Sequence, residues 1–447
     1  MKNSSADPGM LALPEDGAAL SRWQTAAPYW VLAFVAFWPL PAVAEAILAL
    51  AALHAMASWW GLKLRKHPSP LGKPAKRMVL ALFLAYWLPE LFSAFDAVDR
   101  GRAWGEVAMD LRYLPFMVLV AVSATHARTR RTVWKGLAII VAVWTVDALV
   151  QAISGISPVF SLLDGIKRLR SPAGLCPAAE AAVADRLSGV LGPCNLKLGP
   201  MLASFAPFAL YAASRRFGTW GWLIAAAALG VVIVLAGARA AWITYALVVL
   251  CTGWPQLGWK KMLAVAFAGV AVLTGLTVVS PQVQARVERS LMAFSEETGG
   301  LDDALSGRER IWNAALCMVC EHPVNGVGVR GFRFAYPACD PAPDSTAAWG
   351  AEPAFHAHQI VLELLSETGT VGLLIWLGAA GFAVRAWRRA SPSAQRNARP
   401  AALALAVTVF PLNTHLAFYS TFWGGVVVLL AAVYAGALFA QEKRRIL

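Results

Sequence analysis

Residues 219–254 read TWGWLIAAAALGVVIVLAGARAAWITYALVVLCTGW, and the only charged side chain among them is Arg239. An apolar run of ~20 residues, rising 1.5 Å per residue, matches the ~30 Å hydrocarbon core of a bilayer. Two such runs, 219–237 and 239–254, lie back to back here. The stretch therefore reads as a helical hairpin in a membrane, with an arginine at its turn.

The same signal recurs outward in both directions, at 27–41, 43–62, 78–97, 107–125, 134–154, 199–214, 262–280, 360–384, 400–416 and 421–441. The fold class is thus an all-α polytopic membrane protein with about twelve transmembrane helices. Pro39 and Pro41 separate the first two runs and leave open whether they are two helices or one bent helix. Tyr29, Trp30, Trp59, Trp60, Trp134, Trp220 and Trp222 stand at run ends, where aromatic rings favour the membrane interface. Residues 1–24 are polar and carry no short apolar core with a cleavage pattern, so the first run is expected to remain as an anchor. Composition agrees: 58% of the 447 residues are apolar and 15% charged, against about 45–50% and about 25% in soluble domains. Disorder, a fibrous repeat and an ordinary cytosolic enzyme are excluded.

The chain carries 39 Lys+Arg against 26 Asp+Glu, a net +13. In a soluble protein this surplus would suggest nucleic acid. Here the basic residues fall in loops 63–77, 126–135, 215–218, 255–261 and 385–399 and in the tail, which is every second loop. That alternation is the orientation signal of a membrane protein with both termini cytoplasmic. With no nucleic-acid motif and no basic–aromatic interleaving, nucleic acid is not a partner. The expected organisation is a cytoplasmic segment 1–26, helices 1–5 over 27–154, a periplasmic loop 155–198 and helices 6–9 over 199–280. A large, partly helical periplasmic loop 281–358 then lies between helices 9 and 10, followed by helices 10–12 over 359–441 and a tail 442–447.

Cysteine placement follows this division. Cys176 and Cys194 share the first outer loop and are the favoured disulfide pair. Cys317, Cys320 and Cys339 share the second, where either Cys317 or Cys320 could join Cys339, with Cys320 taken as the candidate. Zinc is disfavoured, because Cys317-x-x-Cys320 lies in a helical stretch without a matching second ligand pair.

In the large loop, Ser306 and Glu309 fit a capping box before a helix that His322-Pro323 ends. The following Asn325-Gly326-Val327-Gly328-Val329-Arg330-Gly331-Phe332 implies a tight turn or close backbone approach. Walker spacing is absent. Asp302 and Asp303 read as a solvated turn. His356 and His358 stand just before a membrane helix, and their i, i+2 spacing would not place both on one helix face. Arg239 at a membrane edge is costly unless it meets a partner or snorkels to headgroups, and arginine is a natural bidentate clamp for phosphate.

Three motifs resemble the O-antigen ligase family of bacterial polysaccharide ligases and polymerases. One is the membrane-edge Ala238-Arg239-Ala240, where the family more often has Ser-Arg-Gly. Another is Arg308-x-x-x-Trp312 followed by His322-Pro-x-x-Gly-x-Gly-x-x-x-Phe332. The last is His358-Gln359 with Leu362, Leu365, Glu367 and Gly369; the family usually has Asn where this chain has Gln359. No further soluble domain follows the last run, which favours a ligase over protein-glycosylating relatives. The resemblance implies transfer of O-antigen polysaccharide from undecaprenyl pyrophosphate to a sugar hydroxyl of lipid A–core, at the periplasmic face of the bacterial inner membrane. It implies no cofactor and no metal. Arg239 and Arg308 would then stabilise the pyrophosphate leaving group in place of a metal. His358 would be the general base, since a neutral imidazole is available near pH 7, and direct attack would invert the anomeric centre. His356, Lys197, Arg286, Arg289, Arg330 and Arg333 are candidates to line an anionic path for donor or acceptor, and Tyr336 and Trp349 to stack on sugars. A polymerase or a protein O-oligosaccharyltransferase of the same superfamily is the nearest alternative. A secondary transporter fits worse, because its two similar halves are not seen and Asp147 and Glu90 form no obvious relay.

Overall fold

The computed structural model describes residues 21–177, 186–291, 307–345, 347, 349, 352–413 and 417–440, and the described chain is all-helical. The first half comprises α1 (Arg22–Ala36), α2 (Pro41–Leu64), α3 (Lys73–Ser93), α4 (Arg100–Asp110), α5 (Tyr113–Thr125), α6 (Ala127–Ser154) and α7 (Pro158–Arg168). The second comprises α8 (Leu198–Leu235), α9 (Arg239–Val279), α10 (Pro281–Leu291), α11 (Arg308–Glu321), α12 (Phe332–Cys339), α13 (Ile360–Arg389), α14 (Pro392–Thr408) and α15 (Thr421–Leu438).

Seven helical stretches among the described residues are long and apolar enough to cross a membrane: α2, α4 with α5, α6, α8, α9, α13 and α15. The remaining expected spans fall on α1 and α14, which are short, and on α3, which carries Lys73, Lys76, Arg77 and Glu90. The first two expected runs are separate helices, divided by a turn over residues 37–40.

The four expected spans 199–214, 219–237, 239–254 and 262–280 fall on the two halves of α8 and the two halves of α9, each helix being interrupted at one glycine. Gly218 takes φ 64° in α8 and Gly258 takes φ 69° in α9, a left-handed conformation that glycine adopts without steric cost. Both helices fold back on themselves. The space beside the Gly199 backbone at the head of α8 is bounded by Ala236, Ala238 and Ala241 beyond its far end, while Gly237 before α9 lies against Arg286 beyond the other. The two ends of each helix are thereby returned to one region, and the candidate site is assembled there.

α15 is the centre of the bundle. Its sequence is apolar on every side, as a helix buried all round must be, and each residue from Trp423 to Leu438 is buried. It packs on α5, α14 and α3. Gly424 and Gly436 let it approach closely: a Cβ at Gly436 would run into the Ala121 backbone, and one at Gly424 into the Tyr86 hydroxyl. Between α4 and α5 the helix breaks, and Arg112 pairs there with Glu45 at 2.9 Å and Asp110 at 3.5 Å. An arginine in an apolar bundle needs such partners.

The loop sequence between α6 and α8 is tied down at both ends. Asp147 accepts hydrogen bonds from Ser157 Oγ (2.6 Å) and the Val159 amide (2.8 Å), and so holds the start of α7. Cys176 and Cys194 form the expected disulfide. In the second loop the disulfide joins Cys339 to Cys317, while Cys320 is a free, exposed thiol. This corrects the choice of Cys320. Cys317 and Cys320 lie three residues apart on α11, and Cys317 is on the side packed against a small core of Ile311, Ala314, Met318, Phe332 and Tyr336. The α11 N-cap is Gly307, with φ 75°. Ser306, of the expected capping box, and Asp302 and Asp303 lie outside the described residues.

Candidate active site

Arg239 and Arg308 are each the first residue of a helix, α9 and α11. A helix N-terminus carries partial positive charge, so a cation there is disfavoured by ~0.3–1 kcal/mol. A third guanidinium, Arg186, joins them. Burial first, then repulsion by Arg239 and Arg186, pushes the Arg308 pKa down to about 10. Concentrating three cations at two helix ends works against folding and favours a bound anion, because helix N–H groups and guanidinium forks both complement phosphate oxygens.

Each arginine is held by local structure. Arg239 follows the α8–α9 turn, where Gly237 takes φ 69° and its carbonyl accepts a hydrogen bond from Arg286 Nη1 at 2.8 Å. Arg286 therefore braces the turn that presents Arg239. Arg186 lies within the loop closed by the Cys176–Cys194 disulfide, and the next residue, Leu187, donates its amide to the Leu235 carbonyl at 3.3 Å. The sequence reading missed Arg186; a lone arginine between two cysteines expected to pair is the signal that could have found it.

The Arg308-x-x-x-Trp312 motif has a mechanical role. One helical turn beyond Arg308, Trp312 donates its indole N–H to the Ala357 carbonyl at 3.1 Å. Ala357 is the residue between the two histidines. The His356 and His358 rings lie 4.0 Å apart, because both precede α13 and His358 takes φ 52°. Helix-face geometry, expected to separate them, does not apply at these positions. Gln359 is the α13 N-cap; its side-chain oxygen accepts the Leu362 amide at 2.6 Å. That capping role suits the Asn of the family motif equally well.

The glycine motif and the Glu367-Thr-Gly369 motif are two halves of one clasp. Gly369 takes φ 66° and interrupts α13. In an unbroken helix the amides of residues 370 and 371 would bond the carbonyls of 366 and 367. Instead Thr370 and Val371 donate to Pro323 and Val324 (2.9 and 3.2 Å), while Val327 and Gly328 donate to Ser366 and Glu367 (2.8 and 3.0 Å). The loop thus satisfies the groups that the break exposes, as buried backbone requires. Glu367 Oε2 also accepts the Arg330 amide at 2.9 Å. A Cβ at Gly369 would collide with the Val324 carbonyl. Gly369→Ala is therefore expected to destabilise the protein by ~1–3 kcal/mol from backbone strain alone, read as a lower thermal midpoint in detergent. Gly275→Ala, with open space around its Cβ position, should leave the midpoint nearly unchanged.

The remaining sequence candidates divide. Lys197 immediately precedes α8 with its ammonium 4.3 Å from the Phe422 ring centre, and burial followed by Arg330 lowers its pKa. Arg333 stacks over Phe355 at 4.5 Å, and burial followed by Arg330 lowers its pKa too. His356 is driven well below the ordinary imidazole range by burial, His358, Arg330, Lys197 and Arg333, in that order. Arg330 also lies 3.9 Å from Glu106. These groups share one neighbourhood with the histidines.

Tyr336 is placed differently. It is 3% exposed, beside Phe332 in the small loop core, so it supports the loop rather than presenting a face to a sugar. Trp349 is bonded through its indole N–H to the Glu352 carbonyl at 3.0 Å. The Arg289 side chain lies outside the described residues. Cys317, Glu321 and Cys339 are the described residues whose potential metal-ligand atoms cluster, but both sulfurs are committed to the disulfide.

No curated protein matches the chain. The sequence model of the family described as O-antigen ligase matches residues 199–377, a segment that contains Arg239, Arg308, the clasp and both histidines. The similarity to the O-antigen ligase family therefore spans the part of the chain that holds the candidate site.

Proposed function

We propose that the protein is an O-antigen ligase, moving O-antigen polysaccharide from undecaprenyl pyrophosphate to a sugar hydroxyl of lipid A–core. The observation that carries this reading is the gathering of Arg186, Arg239 and Arg308 at two helix N-termini, beside a histidine pair braced from the same helix as Arg308. The match of residues 199–377 to that family supports a glycosyl transfer as the reaction class. The topology belongs to the same proposal: twelve passages of the bacterial inner membrane, both termini cytoplasmic, and loops 155–198 and 281–358 periplasmic.

The reaction needs a charge sink for the leaving pyrophosphate and a base for the acceptor hydroxyl. The three arginines supply the first, as preorganised positive charge where negative charge develops. His358 supplies the second, taking the hydroxyl proton as the oxygen attacks the anomeric carbon, with inversion. His356, held neutral by burial and the surrounding cations, lets the neighbouring ring take up that proton without facing a second imidazolium. Trp312 and Gln359 are positioning residues.

A deletion strain tests the reading on a lipopolysaccharide gel. Loss of the whole ladder, with lipid-linked polymer retained, is the expected result; a single repeat left on the core would indicate a polymerase instead. Full complementation by both Arg308→Ala and His358→Ala would show that the site is misplaced.

A further inference from the structure

The basic residues of this region fall into two groups. Arg308 is repelled by Arg239 and Arg186. Lys197 is repelled by Arg330, and His356 by Arg330, Lys197 and Arg333. We propose that Lys197, Arg330 and Arg333 form a second anion subsite, which binds a phosphate or carboxylate carried by the acceptor glycolipid near its reacting hydroxyl. The proposal rests on the ligase reading above.

Two members of the second group stand over aromatic faces. Lys197 stands 4.3 Å from the Phe422 ring centre and Arg333 4.5 Å from that of Phe355; a π face orients a cation but leaves its charge available. Arg330 is fixed by its backbone, at φ 58° with its amide on Glu367. Such a conformation is unusual for a residue with a side chain and persists only where its surroundings enforce it. The Arg330 guanidinium lies 3.9 Å from Glu106, which is shared with Arg102 at 3.7 Å, and Glu367, which accepts its amide, is a second acid beside it. The three cations come from two distant parts of the chain: the head of α8 supplies Lys197, and the end of the clasp with the first turn of α12 supplies Arg330 and Arg333. Glu106 and Glu367 offset part of the cost of gathering buried cations, and a bound anion would offset more.

The chemistry decides which substrate that anion belongs to. In an inverting displacement the nucleophile and the leaving group occupy opposite faces of the sugar ring, as do the base and the acid in inverting hydrolysis. The base must be on the nucleophile's side. Arg330, Lys197 and Arg333 each act on the charge of His356, so the anion they bind is assigned to the acceptor, while the donor pyrophosphate meets Arg186, Arg239 and Arg308.

The test uses the full-length protein in proteoliposomes with an undecaprenyl-pyrophosphate glycan and three acceptors: native lipid A–core, the same acceptor dephosphorylated, and the same acceptor with its carboxylates methylated. Losing one charge-assisted hydrogen bond costs about 10–100-fold in affinity. Lys197→Gln and Arg333→Gln are expected to raise KM for the native acceptor by about that factor and to leave donor KM unchanged. Arg333→Lys, which keeps the charge, should lie closer to wild type. On the acceptor lacking the recognised anion, wild type and variants should converge; which acceptor this is tells phosphate from carboxylate. A parallel rise in donor KM, or a variant effect of equal size on all three acceptors, would overturn the subsite but leave the ligase reading standing. A wild-type protein that moves no glycan to any acceptor would overturn the ligase reading and the subsite with it.

Discussion

Arg308→Ala should lower the initial rate of glycan transfer by about 10²–10³-fold, the usual cost of removing one preorganised donor to developing negative charge. Arg308→Lys should recover only part of that loss, because an ammonium keeps the charge but not the planar fork that fits two phosphate oxygens. The informative companion measurement is stability. Burial and two like charges bring the Arg308 pKa down to about 10, so the folded protein holds this proton less tightly than the unfolded chain does. At every pH below about 10 the group remains charged, and its charge opposes folding. Arg308→Ala is therefore expected to unfold at a temperature equal to or above that of the wild type while being almost inactive. Inorganic pyrophosphate should raise the wild-type midpoint, as any ligand of the native state does, and raise it less in the variant. A variant that lost stability and rate together would show that Arg308 is structural.

His358→Ala should cost about 10²–10⁴-fold in transfer rate, the span associated with general acid–base catalysis, and should flatten the acidic limb of the pH profile of kcat/KM for the acceptor. The paired residue provides the contrast. His356 is held as a neutral ring by burial and the cations around it, so it is poorly suited to accept the acceptor's proton. His356→Gln, which keeps a polar side chain of similar reach, should lower the rate by less and keep the acidic limb. If the limb vanished in the His356 variant and survived in His358→Ala, the two roles would be exchanged. The 4.0 Å separation of the rings is what makes the comparison necessary.

Much of this architecture can be read along the chain. The apolar runs of 219–254, with one charge at the turn, specify a membrane hairpin that presents Arg239, because the cost of burying polar backbone and charge in hydrocarbon is paid locally, residue by residue. The helix stop at His322-Pro323 and the Arg308–Trp312 spacing are equally local. Local patterns are also misleading where pairing crosses the chain. Cys317 and Cys320 are equivalent to a reader of the sequence, and only the packing of α11 on its small core turns Cys317 toward Cys339. Tyr336 looked like a sugar platform and is buried.

The sequence by itself determined the membrane class, the helical turns that carry Arg239 and Arg308, and the residue types of the site. Hydropathy, helix periodicity and turn chemistry act over a few residues, and they need no knowledge of what lies across the fold. Only the tertiary structure decided that Arg186 joins the other two arginines, that Trp312 holds the backbone between the histidines, and that the glycine motif closes the break at Gly369. Each of these is a hydrogen bond or a charge contact between segments far apart in sequence. Its partner is chosen by which buried groups would otherwise be left unsatisfied, a condition that exists only once the helices have packed.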